Sequence, residues 1–182
     1  MSTKIDHSKL TLMDALDLAM LIEVEAHQRY TQFAERLGSH TEGDAASVFE
    51  AMAVNEGKHG EEIAKRRLAL FGEARPNVKL ADIYDVEAPD VGWVTWRMSP
   101  LKAYWVALTA ERKARDFYDQ ALRYVTDPEV KALFAELRDE EVEHVRMCEE
   151  LIARLPQSAK SDLEDEDEDA VPNTEGRRSA AY

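Results

Sequence analysis

Four stretches of the chain carry apolar residues at three- and four-residue spacing, and each has a glutamate in the middle of its apolar stripe. The stripes are Leu16, Ala19, Met20, Glu23, Ala26, Tyr30, Phe33; Phe49, Met52, Ala53, Glu56, His59, Ile63; Tyr104, Ala107, Leu108, Glu111, Ala114, Tyr118, Leu122; and Phe134, Leu137, Glu141, His144, Cys148, Leu151. That spacing places each set on one side of a helix. The pattern therefore predicts four helices that pack their stripes together and carry four acids into one core.

The helix ends are marked independently of the stripes. Thr11 with Asp14 three residues on predicts a first helix from near Thr11 to Gly38. A second starts between Thr41 and Asp44 and stops at Gly72, where glycine tolerates positive φ. Ser99–Pro100 and Asp127–Pro128 each pair an N-cap with proline at the first helical position, and Pro156 closes the fourth helix. Short connections make two helical hairpins, and the stretch from Glu73 to Met98 is long enough to cross back along the bundle, with Trp93 and Trp96 expected to pin it to the core.

A 182-residue chain that is 45% hydrophobic and 33% charged, with seven Gly and six Pro, fits one all-α domain. Its expected extent is 11–156, after an N-terminal extension of 1–10. The segment 157–182 contains the acidic run SDLEDEDEDAVPNTEGRRSAAY and is expected to be a disordered, solvated tail. A formal charge of −14 argues against nucleic acid and anionic membrane surfaces as partners. No stretch approaches the roughly 18 apolar residues of a membrane span, and the N-terminus does not read as a signal peptide, so a cytoplasmic location is expected. Cys148 is the lone cysteine, which excludes an intrachain disulfide and any CxxC metal site.

A bound metal on this chain must therefore sit on oxygen and nitrogen. Four buried carboxylates around one core would repel one another unless something positive lay between them, and no Lys or Arg occupies the central positions. Glu56 with His59 and Glu141 with His144 are each three residues apart, which puts both side chains of a pair on one helix side. Four carboxylates and two imidazoles suit a pair of Fe or Mn ions better than tetrahedral zinc or all-oxygen calcium. One glutamate on each of two helices and Glu-x-x-His on the other two is the ligand pattern of ferritin-like di-iron bundles.

The segment EVEAHQRYTQFAERL, with its glutamate seven residues ahead of a tyrosine, and the motifs EGKH and EVEH resemble the rubrerythrin family over Thr11 to about Leu155. The resemblance implies a ferritin-like four-helix bundle in which Glu23, Glu56, His59, Glu111, Glu141 and His144 hold two iron ions, with Glu56 and Glu141 bridging. It implies functional roles for Tyr30 and Tyr118, bracing the ligand carboxylates or, less simply, relaying radicals. The implied activity is reduction of hydrogen peroxide or O₂ with electrons from an external donor protein, in a homodimer or larger homo-oligomer.

Two departures from the family pattern stand out. The chain has no cysteines for a rubredoxin domain, and Ala114 stands where the third helix of the family tends to carry a further glutamate. The same ligands also fit a ferroxidase that oxidises Fe(II) for storage or for an encapsulating shell, a reading that assembly as a cage would distinguish. Manganese use and a metal-free interaction bundle are further alternatives, and either closure within one chain or helix exchange with a second copy satisfies the pattern. Around the site, His27 reads as a packed residue rather than a ligand, Cys148 as core, and Asn55 and Glu140 as acceptors for the Nδ1 proton of the opposite histidine.

Overall fold

The computed structural model describes residues 5–38, 44–79, 86, 88–89 and 98–156. Trp93, Trp96 and the acidic segment 157–182 lie outside the described residues. Among the described residues there are four α-helices, α1 (Leu12–Leu37), α2 (Ala45–Phe71), α3 (Pro100–Ala121) and α4 (Pro128–Arg154), preceded by a 3-10 turn at His7–Lys9.

The caps at Thr11, Ser99 and Asp127 are those expected from the sequence, and that of α2 falls at Asp44, the end of its expected range. Thr11 accepts from the Asp14 amide while the Asp14 carboxylate accepts from the Thr11 amide, a reciprocal capping box. Asp44, Ser99 and Asp127 accept from amides of the first turns of α2, α3 and α4. Each such cap stabilises its helix by about 1 kcal/mol. Gly38 and Gly72 end α1 and α2 at φ 66° and 57°, which a residue with a Cβ adopts only under strain.

The helices pack as two hairpins, α1 with α2 and α3 with α4, set face to face. Their apolar residues form two clusters. Tyr30, Phe33, Phe49, Val106, Leu108 and Cys148 belong to one, and Leu16, Ile22, Ile63, Tyr118, Leu133 and Phe134 to the other. The four stripe glutamates are buried in the same core. Leu151, expected at the end of the α4 stripe, is 40% exposed, and Ile152 packs inward in its place. Ile152 lies five full turns after Phe134, whereas Leu151 is about 100° round the helix.

The described parts of the crossover lie against α1 and α3. Asn77 donates to Asp14, Arg29 of α1 donates to the Pro89 carbonyl, and Lys113 of α3 donates to the Ala88 carbonyl. Val86 and Ala88 are buried. Upstream of α1, Ile5 and Leu10 pack on the second cluster, and Thr126 donates to the Ser8 carbonyl.

A buried ion pair fixes the far end of the first hairpin. Arg67 Nε donates to Asp17 Oδ1 at 2.8 Å, and its other nitrogens donate to the carbonyls of Gly72 and Ala74 at 2.6 and 2.5 Å. The guanidinium thus ties α1 to the backbone that leaves α2. Removing one member of a buried pair strands the other charge, so Asp17→Ala is expected to lower unfolding stability by about 3 kcal/mol, read by urea denaturation.

Candidate metal centre

The stripe glutamates meet the two histidines in two groups. Glu23 of α1 joins Glu56 and His59 of α2, and Glu111 of α3 joins Glu141 and His144 of α4; within each group the possible ligand atoms lie within 4.8 Å of one another. His59 Nδ1 is 3.9 Å from Glu23 and 3.8 Å from Glu56. His144 Nδ1 is 3.3 Å from Glu111 and 3.5 Å from Glu141. The rings of His59 and His144 stack with centroids 4.7 Å apart and planes 3° from parallel, so both groups face each other inside one chain.

The electrostatics of this layer are unfavourable for protein atoms alone. Glu111 is wholly buried, and Glu23, Glu56 and Glu141 are nearly so. Glu23 Oε2, Glu56 Oε1, both Glu111 oxygens and Glu141 Oε2 are buried without a hydrogen-bond partner. A buried carboxylate in that condition costs several kcal/mol unless it is neutralised or paired. Burial, with repulsion from Glu56 and Glu141, holds the Glu23 carboxyl well above the usual carboxylate range. Burial does the same to Glu111, although His144 pulls the other way. Burial opposes a charge on His144, but Glu111 and Glu141 outweigh it and push the imidazole up to about 11. Orphaned carboxylate oxygens and two imidazole nitrogens aimed at one another form a donor set that fits two hard or borderline cations.

Two glycines let α1 approach α2 at this level. A Cβ on Gly60 would stand 3.4 Å from the Glu23 Cβ, and one on Gly57 would stand 3.3 Å from His27 Nδ1. Glycine inside a helix costs about 1 kcal/mol relative to alanine, which here is exchanged for close contact beside the site. His27 Nδ1 donates to the Ala53 carbonyl of α2 at 2.7 Å, a packing role, and stands outside both groups.

The histidine rings are turned differently from the expectation for Asn55 and Glu140. Nδ1 of each ring faces the carboxylates of its own group, so Nε2, not Nδ1, is the nitrogen left for an outer acceptor. Glu140 shares a cleft with His59. Tyr30 and Tyr118 are fully buried, one in each apolar cluster; Tyr30 stacks on Phe49 and Tyr118 meets Phe134 edge-on. Cys148 is core, and burial, then Glu111 and Glu56, push its thiol up to about 12, so it is no nucleophile at neutral pH. Asp17–Arg67 and the two glycines are what sequence reasoning did not single out.

The rubrerythrin family model matches residues 14–168. This chain belongs to the rubrerythrin family. Among solved structures, an uncharacterized conserved protein from Magnetospirillum magnetotacticum is 32% identical to this rubrerythrin-family chain, with a TM-score of 0.64 over 81% of this chain and 97% of its own. The bacterioferritin-related protein of Bacteroides fragilis, a dodecameric thioferritin, shares the fold at 20% identity and a TM-score of 0.50, over 93% and 98% of the two chains. The bundle is thus ferritin-like. No curated protein matches the chain. Membership of the rubrerythrin family, together with the two carboxylate–histidine groups, points to bound iron.

Glu23, Glu111 and His144 all have folded-state proton affinities raised above their ordinary values. Each then contributes stability that is present below its unfolded pKa and lost as pH rises through its folded one. Metal-free protein is accordingly expected to unfold at lower temperature at about pH 9 than at about pH 6. A divalent metal replaces those protons, so its stabilising effect should grow over the same interval, read by thermal unfolding with and without metal.

Proposed function

We propose that this rubrerythrin-family protein is a non-haem di-iron oxidoreductase that reduces hydrogen peroxide, or O₂, with electrons from an external donor protein. The observation that carries this reading is the pairing of two Glu/Glu/His groups, their carboxylates buried, across the parallel rings of His59 and His144. Glu23, Glu56 and His59 would hold one ion and Glu111, Glu141 and His144 the other. Two bound iron ions, each able to give one electron, supply the pair that peroxide reduction to two waters consumes along with two protons.

The protein atoms do the rest. Burial of all four carboxylates keeps bulk water out and strengthens every charge interaction in the layer. The helix backbones fix the ligand positions in advance, and Gly57 and Gly60 set the α1–α2 distance at that level. Tyr30 and Tyr118 are proposed to brace the ligand carboxylates from the two apolar clusters. Assembly as a homodimer or larger oligomer, like the dodecamer formed by the Bacteroides fragilis protein, is part of the proposal. So is a cytoplasmic location; no described helix is long and apolar enough to cross a membrane.

A second reading, ferroxidase action on Fe(II) for storage, is favoured by one feature. Ala114 is fully buried one turn beyond Glu111, so α3 offers no further carboxylate there and the ligand set keeps its symmetry. Stopped-flow oxidation of anaerobic, Fe(II)-loaded protein separates the two. Reaction at least about tenfold faster with H₂O₂ than with O₂, followed by reduction back to the starting state, is the expected result. Faster reaction with O₂ and release of ferric iron from the site would replace the first reading with the second.

A further inference from the structure

The core layer is closed on most sides among the described residues. Along the bundle axis it has the two apolar clusters, with Tyr30 and Tyr118 fully buried. On the α1–α3 side lie Val86, Ala88 and Pro89 of the crossover, tied to Arg29 and Lys113. Between α1 and α2 the helices approach closely at Gly60 and Glu23, and α3 and α4 pack on each other as the second hairpin.

The α2–α4 side differs. A cleft there is lined by His59, Glu62, Arg66, Glu136 and Glu140, with Leu133 among its apolar residues. Of the two groups' side chains, His59 has the greatest exposure, at 26%, against 11% for His144 and 5% or less for Glu23, Glu56, Glu111 and Glu141. The cleft therefore reaches the site through the His59 ring. Three carboxylates and one guanidinium give it a net negative charge, and a charged cleft between low-dielectric walls concentrates ions of the opposite sign. Arg66 donates to Glu136 at 3.0 Å across the two helices, with side chains 42% and 54% exposed. A pair that exposed holds with little energy and opens readily.

We infer that the α2–α4 cleft is the route by which divalent metal ions reach the di-metal site, with Glu62, Glu136 and Glu140 drawing the cation in and Arg66 restraining it by neutralising Glu136. This rests on the metal-binding reading of the two Glu/Glu/His groups and adds the path to it. Neutral peroxide gains nothing from such charges, so the lining acts on the metal and not on the oxidant.

The test follows Co(II) binding to metal-free full-length protein by its visible absorption in stopped flow, at low and at high salt. The end-point absorbance reports the site, and the rate reports the route. At low salt Glu62→Gln is expected to slow binding by roughly two- to fourfold and Arg66→Gln to speed it by a similar factor, with both differences shrinking at high salt. Glu35→Gln, which removes the same charge from an exposed position on α1, should leave the rate unchanged. Opposite signs for Glu62 and Arg66 are not produced by a general loss of folding. Wild-type rates in both cleft variants, or slowing by Glu35→Gln equal to that by Glu62→Gln, would overturn the route while leaving the site intact. Absence of any Co(II) end point in the wild type would overturn both.

Discussion

Four carboxylates share one buried core, and the fold is arranged around the cost of putting them there. Glu23, Glu56, Glu111 and Glu141 come from four different helices and have at most 3% exposure, with several of their oxygens lacking any hydrogen bond. Apolar clusters that stabilise the bundle by burial also remove the water that would solvate those charges. Protons or metal ions must supply the positive charge. Burial and mutual repulsion favour protons on Glu23 and Glu111, the carboxylates around His144 favour one on its ring, and the histidine nitrogens beside the carboxylates complete a donor set that fits cations.

Most of this was legible in the chain itself. Stripes at helical spacing, interrupted once per helix by glutamate, determine both the bundle and the inward position of the acids, because a helix gives each residue a fixed direction relative to its stripe. Caps at Thr11, Ser99 and Asp127 were readable for a similar reason, and that of α2 to within four residues: they are local, within three residues of the amides they satisfy. The six grouped residues are spread over almost the whole bundle, yet each was identified by position within its own helix.

What was not legible depended on where a second element lies. Asp17 and Arg67 are 50 residues apart, and nothing near either one announces a buried partner. Gly57 and Gly60 look like weaknesses in α2 until α1 is laid against them, with His27 and Glu23 at contact distance from where their Cβ atoms would stand. The ring orientation of His59 and His144 follows from side-chain torsions that spacing does not encode, which is why Nδ1 turns toward the carboxylates. Among the described residues, the cleft on the α2–α4 side and the crossover contacts of Arg29 and Lys113 on the α1–α3 side are a matter of path and not of pattern.

Two Glu/Glu/His groups adjoin within one chain, drawn from its own four helices, and are proposed to hold a pair of ions. The most direct measurement is a crystal structure of the iron-loaded protein with anomalous scattering recorded at the iron edge. Two peaks per chain are expected, one within the Glu23, Glu56 and His59 group and the other within the Glu111, Glu141 and His144 group of the same chain. A single peak, no peak, or ions held between groups of different chains would contradict the proposal.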